Sequence, residues 1–405
     1  MSLHSTTAPA DAEFLGTDRA AKLRNVGLGL LAVGVLLSGA GFATDAHRFV
    51  EGYLAGFEFV LTLCLGALFF VLIQHVTKAG WSVGPRRQAE WIASFLPFMA
   101  LLFIPLAAKA PEIWHHWWHP EHPDELLLKK AAYLNPTFFY VRAATYFVVW
   151  ALVSRYFLSK STEQDKSGDA SITSKMQIWS APSVLLFGLS LTFAAFDWLM
   201  SLNPHWFSTI FGVYIFAGGL VAALAALALF QIGLQKAGVL HQVSTVEHRH
   251  DLGKLLFGFN VFWTYIAFSQ FFLIWYANLP EETVFYVKRW FNGEGGHSSW
   301  MPVSAALLFL HFWVPFFVLL PRTVKRSAAG LGFGAALLLG AHYLDLYWVV
   351  MPEFSPEFHF SWMDIGGLLL PVGGLVTWLG IRASKDAVYP LKDPRLAEAK
   401  AVINL

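Results

Sequence analysis

Apolar residues run along this chain in blocks of twenty or more, and most of the polar positions gather in short intervals between them. A helix needs about 20 apolar residues to cross the hydrocarbon of a bilayer. Ten blocks meet that length or come close to it: 24–43, 52–75, 91–108, 136–158, 177–202, 204–234, 252–277, 300–320, 328–350 and 362–382. The pattern predicts an all-α protein with ten transmembrane helices. Prolines 97, 105, 182, 315 and 371 fall inside the blocks and are expected to kink them.

Blocks five and six are separated by almost nothing, and their junction carries ionisable groups. Asn203 followed by Pro204 reads as an N-cap with proline at the first helical position, so a new helix is expected to start at Pro204. Its orphan N–H groups would then face the junction. Asp197 and His205 flank the turn, where a carboxylate, an imidazole and a positive dipole end can meet a ligand oxygen or a proton.

Composition fixes the class. With 56% hydrophobic and 14% charged residues and a mean hydropathy of +0.52, the chain reads as an integral membrane protein and not a soluble enzyme. A sequence pI near 7.9 and the lack of a basic stripe give no sign of nucleic-acid binding. The one cysteine, Cys64, excludes an intramolecular disulfide, a thiolate iron–sulfur site and covalent c-type haem within this chain.

Charge is unevenly placed. The terminal tails and even-numbered loops, together with the block ends beside them, hold 21 Lys and Arg, the odd-numbered loops hold 6, and Arg142 lies within the fourth block. By the positive-inside rule both termini are cytoplasmic. The expected organisation is a cytoplasmic tail 1–23, a membrane domain 24–382 and a cytoplasmic tail 383–405. Arg19, Lys22 and Arg24 before the first block resemble a signal-peptide flank, but the block is read as a retained anchor. The polar segment 159–175 reads as a flexible connector. The outer segments 109–135 and 278–299, rich in Trp, Pro and acid, read as an ordered docking surface. No internal repeat is visible.

Ionisable residues inside the blocks crowd the outer half: Glu58, Arg142, Asp197, His342, Asp345 and Asp364. Each is costly in lipid and is expected to face the interior and pair. Ser183, Ser190 and Asp197 repeat every seven residues on one helical face, which can carry protons through water or pack closely. His342 and Asp345 share a face, where the carboxylate can fix the imidazole tautomer. Ser304 and His311 do the same one block earlier, and Asn260, Thr264, Tyr265, Ser269 and Gln270 make the seventh block polar on one side. Only His311 lies at mid-span, so no facing histidine pair for b-type haem is expected, and His311 reads as a proton or hydrogen-bonding residue. The run from Trp114 to His122 reads as an interfacial aromatic belt, not a metal site, and no metal centre is expected. His241, His248 and His250 read as surface groups.

The run from Asp197 to Tyr214, DWLMSLNPHWFSTIFGVY, resembles the NrfD-like membrane subunits of bacterial alternative complex III, a quinol:cytochrome c oxidoreductase, and of the two such subunits it looks most like the second, the F subunit. The run from Tyr265 to Glu282, YIAFSQFFLIWYANLPEE, also resembles that family. The resemblance implies two four-helix bundles, spans 2–5 and 6–9, flanked by spans 1 and 10. It further implies residence in the bacterial inner membrane with a sister NrfD-like subunit, an iron–sulfur subunit, multihaem and monohaem c-type cytochrome subunits, and a terminal oxidase as a further partner. Menaquinone or another quinol would be the small-molecule partner, with haems and iron–sulfur clusters confined to the other subunits.

On this reading the chain is not an enzyme on its own. It contributes a quinol-associated pocket (Asp197, His205, Arg142, Glu58), a proton relay (Asp197, His205, Glu58, Ser183, Ser190, His311, His342, Asp345), or both. A purely structural scaffold and a secondary transporter are the rival readings, and the outer clustering of charge argues against the transporter. Reporter fusions are expected to place Ser167 and Leu405 in the cytoplasm and Glu121 and Glu294 outside. A cytoplasmic signal at Glu121 would overturn this topology.

Overall fold

A computed structural model describes residues 12–120, 122–292 and 295–403. Glu121, Glu294 and Leu405, three of the topology markers, lie outside the described residues. The described chain is helical, with no β-strand. Among the described residues, ten helical stretches are long and apolar enough to cross a membrane: span 1 Thr17–Thr44, span 2 Ala46–Val76, span 3 Gly80–Ala108, span 4 Pro136–Ser167, span 5 Ser171–Leu202, span 6 Phe211–Lys236, span 7 Val246–Ala277, span 8 Met301–Leu319, span 9 Ala328–Glu353 and span 10 Trp362–Lys385. This is an all-α integral membrane protein. An even number of crossings puts both ends of the described chain on one face, the termini face; the other is the far face.

Several local expectations are corrected. Span 6 starts at Phe211 and not at Pro204. Asn203 is extended, and its side-chain oxygen accepts from the His205 N–H at 3.2 Å, so the residue closes a turn instead of capping a helix. Trp206 then buries its ring against Phe285, with ring centroids 4.3 Å apart, and donates to the Glu282 carbonyl at 3.0 Å. This anchor holds residues 203–210 away from the helical path. The connector at 159–175 is also helical, because span 4 runs to Ser167 and span 5 resumes at Ser171, with left-handed Gly168 ending the first helix.

The tryptophans expected in a lipid-facing belt turn inward. Trp114 donates to the Trp198 carbonyl at 3.3 Å and Trp117 to that of Ser201 at 3.1 Å, and Trp118 is buried as well. A buried indole N–H needs an acceptor, and the exposed carbonyls at the end of span 5 supply one. Proline acts unevenly: span 3 is divided into Val83–Ala93, Leu96–Leu102 and Ile104–Ala108, with Pro97 and Pro105 at the new helix starts, whereas Pro182 and Pro371 sit inside unbroken helices. The described parts of both tails are packed. The Val388 N–H donates to the Glu13 carbonyl at 2.8 Å, and Asp393 forms a buried ion pair with Arg86.

Span 2 is the hub, buried along nearly its whole length and touching spans 3, 5, 6, 9 and 10. Spans 3 and 4 touch, as do 4 and 5; on the other side spans 6 and 7, 7 and 8, 8 and 9, and 6 and 9 touch. Span 1 lies mainly along span 10, and glycines make that contact. A Cβ on Gly27 would lie 2.3 Å from the Thr377 nitrogen, one on Gly34 2.5 Å from that of Leu370, one on Gly373 2.3 Å from that of Leu31, and one on Gly380 2.4 Å from that of Arg24. Each step forward on span 1 is thus matched by a step back on span 10, in antiparallel register. Because apolar side chains gain little by leaving lipid for protein, such backbone-to-backbone packing is what holds these helices together.

Adding a methyl group at this crossing has nowhere to go, since the obstructing atoms are backbone. Gly373→Ala is expected to destabilise the span 1–span 10 contact by about 1–3 kcal/mol, and Gly29→Ala, where a Cβ meets nothing within 4 Å, to have little effect. Thermal unfolding in detergent, with disulfide cross-linking between engineered cysteines on the two spans, measures both.

Candidate functional site

The ionisable residues divide into groups that are fully paired and groups that are not. Arg142 on span 4 meets Asp197 on span 5 through two bonds, Nε to Oδ2 at 2.7 Å and Nη2 to Oδ1 at 3.0 Å, while the Tyr146 hydroxyl donates to Oδ2 at 2.7 Å. The remaining guanidinium nitrogen donates to the Tyr133 carbonyl at 2.8 Å, and the Tyr133 ring lies 3.8 Å from the guanidinium carbon. Both Asp197 oxygens are therefore occupied. To take a proton or a quinol hydroxyl, Asp197 must displace Arg142 or Tyr146.

His205 is not part of that group. It is half-exposed on the far face and pairs with Asp124 at 2.7 Å, so Asp197 and His205 do not converge on one ligand as the junction implied. Asp124 also caps the short helix Glu125–Lys130; the Leu127 N–H, then His205, hold its carboxyl below the usual range. Ser190 accepts from the Trp150 indole at 2.8 Å and donates back to the Leu186 carbonyl, and Ser183 donates to the Trp179 carbonyl. The serine stripe exists as a buried face, but its hydroxyl protons are committed to the helix backbone.

Two further pairs fasten the far face. Arg48 grips Asp364 with bonds of 2.8 and 2.7 Å, and Tyr347 adds a third donor at 3.0 Å. Arg289, on the far-face helix Pro280–Trp290, is fully buried; it donates to the Trp348 and Val349 carbonyls at 3.0 and 2.8 Å and pairs with Glu353 at 3.2 Å. Burial weakens the Arg289 guanidinium's hold on its proton, and Glu353 acts in the opposite direction. On the termini face, His248 and His250 are buried and not on the surface, and His248 Nδ1 accepts from the Thr245 N–H at the start of span 7.

The interior between these clamps is different. His311, His342 and Asp345 each bring a ligating atom within 4.8 Å of the others, all of them buried. The two imidazoles thus do meet, contrary to the expectation that no histidine pair would face. Their meeting depends on span 8, which opens into a π-helical turn over Leu308–Trp313 and presents His311 flat against Trp263, 3.6 Å between ring centroids. Such a turn holds an extra residue and commonly marks functional positions.

Asp345 accepts from the buried Tyr214 hydroxyl of span 6. His342 Nε2 lies 2.9 Å from Thr62 Oγ1 of span 2. Thr62 has one hydroxyl proton and spends it on the Glu58 carbonyl at 2.7 Å, so its oxygen accepts from His342 Nε2–H. That bond fixes the tautomer and leaves His342 Nδ1 with an open lone pair.

Nδ1 has no protein partner, nor has either ring nitrogen of His311, the Glu58 Oε1 atom, or either amide atom of Asn260. Each is buried where an unmatched polar group costs several kcal/mol. These atoms call for water, a proton or an ion. Sequence reasoning named Glu58, His311, His342 and Asp345 but missed Thr62, Tyr214 and Trp263; the one available signal was Thr62 lying four residues, one helical turn, beyond Glu58.

A separate groove of about 460 Å³ opens on the far face between Lys130, Tyr133, Phe196, Met200, Trp206 and Phe207. Its size suits a ring compound, and Tyr133 connects its wall to Arg142. Searches against family models and curated proteins return no match for this chain.

The Arg142–Asp197 pair makes a stability prediction. Asp197→Leu strands a buried guanidinium and is expected to cost about 3–5 kcal/mol, whereas Asp197→Asn keeps the shape and one acceptor oxygen, though its NH2 then faces a donor, and is expected to cost less. Unfolding midpoints of the two detergent-solubilised variants decide; equal, small losses would show that the pair is not a structural clamp.

Proposed function

We propose that this chain is a membrane subunit of a bacterial quinol:electron-acceptor oxidoreductase of the alternative complex III type, in which it provides a proton path and a quinol-associated groove. The observation that carries the reading is the set of buried polar atoms without protein partners, Glu58 Oε1, His342 Nδ1, both nitrogens of His311 and the Asn260 amide, lying among spans fastened elsewhere by saturated ion pairs. Quinol oxidation releases two protons for each pair of electrons, so a membrane subunit beside it needs acceptors that are not already occupied. Glu58 and His342 are such acceptors, and Thr62, one turn beyond Glu58, links them structurally by holding His342 Nε2 while its own proton stays on the helix backbone.

The motif resemblance at 197–214 and 265–282 supplies the reaction, and the far-face groove beside Tyr133 and Lys130 supplies room for the quinol ring. In this reading Asp197 and Arg142 support the groove wall, and His205 lies at its rim through the neighbouring Pro204. Haems and iron–sulfur clusters reside in partner subunits, the membrane is the bacterial inner membrane, and both termini are cytoplasmic. A scaffold role is also served by the same fold, because the Arg48–Asp364 and Arg289–Glu353 pairs bind spans together without free valences.

Two measurements test the reading. The tagged chain, isolated in mild detergent, is expected to bring multihaem c-type cytochromes with it; isolation alone or with a soluble-substrate transport activity would overturn the assignment. Within that assembly Glu58→Gln removes the acceptor at constant shape, and is expected to lower protons released per electron more than it lowers quinol:cytochrome c turnover. Unchanged proton release in an assembled Glu58→Gln complex would refute the path.

A further inference from the structure

We infer that His311, His342 and Asp345 form a binding site for one divalent cation of the zinc class, enclosed between spans 8 and 9 within the membrane. The inference takes His342 and His311 out of the proposed proton path as ligands and leaves Glu58 as the free acceptor there, and it does not require the chain to conduct protons or to meet quinol.

The donor set is the first argument. Two imidazoles and a carboxylate, each offering one atom and all within 4.8 Å of one another, are three ligands of the kind zinc takes at about 2.0–2.2 Å. Cys64, the one cysteine, does not belong to this group. Nitrogen donors favour zinc over magnesium or calcium, which select oxygen.

The second argument is the protonation pattern. Metal-bound histidines use one ring nitrogen for the ion and give the other to a hydrogen-bond acceptor. His342 is arranged in this way, because Thr62 takes the proton on Nε2 and Nδ1 is left bare. Asp345 likewise has an outer partner in the Tyr214 hydroxyl, which orients the carboxylate. His311 offers two unpartnered nitrogens on a ring held flat by Trp263, on a turn whose extra residue displaces it from the α-helical position. Gly218 faces Nδ1 of His342, and a Cβ there would lie 2.9 Å from that atom, so the absence of a side chain keeps the ligand nitrogen uncovered.

Charge is the third. A dication beside Asp345 alone leaves an excess positive charge in a low-dielectric interior, which is costly. Glu58 of span 2, one helical turn before the Thr62 that holds His342, carries a second buried carboxylate with an unpartnered oxygen. The far-face pairs in these spans, by contrast, already balance one cation with one anion and leave nothing for an ion to satisfy.

The test uses the full-length chain purified in detergent after growth with zinc, without its partners. Elemental analysis is expected to find about one zinc per chain, and X-ray absorption at the zinc edge to show imidazole scattering from two histidines with one or more oxygens. After exchange with cobalt, the visible absorption of a four-coordinate ion is expected. His311→Gln and Asp345→Asn should each lose the bound metal, while His205→Gln should retain it. If His311→Gln fails to fold, the absorption spectrum of the unaltered chain still decides. A folded chain without stoichiometric zinc, a zinc shell lacking imidazole, or full zinc retention in folded His311→Gln would each overturn the site. None of these readings involves quinol turnover or proton release, so loss of the metal site and loss of the quinol reading are separately visible.

Discussion

An unmatched polar group inside a bilayer has no water to fall back on, and this constraint organises the molecule. At the far face every buried guanidinium has found a carboxylate on another element: Arg142 with Asp197, Arg48 with Asp364, and Arg289 with Glu353. At the termini face Arg87 reaches Glu90 and Asp165 in the same way, and Arg86 reaches Asp393 in the C-terminal tail. The far-face pairs commit both partners to one another and fix helix ends, whereas at the termini face Arg86 Nε and Glu90 Oε1 keep unpartnered atoms. The interior histidines, Glu58 and Asn260 also keep unpartnered atoms, as His75 and His248 do near the termini face, and what sets the interior group apart is the convergence of His311, His342 and Asp345.

The second constraint is close backbone approach, and it links packing to chemistry. A Cβ on Gly66 of span 2 would lie 2.3 Å from the Gly219 carbonyl oxygen of span 6, and one on Gly219 would lie 2.7 Å from that of Thr62. The same crossing that lets the two backbones touch places Thr62 against His342 on span 9 and Tyr214 against Asp345. Gly218 and Gly219 therefore do two jobs at adjacent positions. One faces the histidine and the other faces the helix that carries its hydrogen-bond partner.

Much of the fold was legible because hydropathy reports length and environment directly. All ten spans are present near their expected positions, since only a helix of this length can hide its backbone in hydrocarbon. Boundaries were less legible where polar side chains had tertiary partners. Asn203–Pro204 carries a valid helix-start signal, yet burial of Trp206 against Phe285 moves the start to Phe211. The tryptophans at 114–118 have the composition of a lipid-facing belt, and the carbonyls at the end of span 5 draw two of them inward.

The sequence by itself determined that this is a membrane protein of ten helical spans, that charge is expensive within them, and which few residues carry it, because each of these follows from the composition of single segments. Only the tertiary structure decided the partners. Asp197 and His205 are eight residues apart and do not meet, whereas His311 and His342 are on different spans and do. A helix reports its own faces through its periodicity, but its rotation and depth against a neighbour are set by glycine contacts and by a π-helical turn, neither of which periodicity encodes.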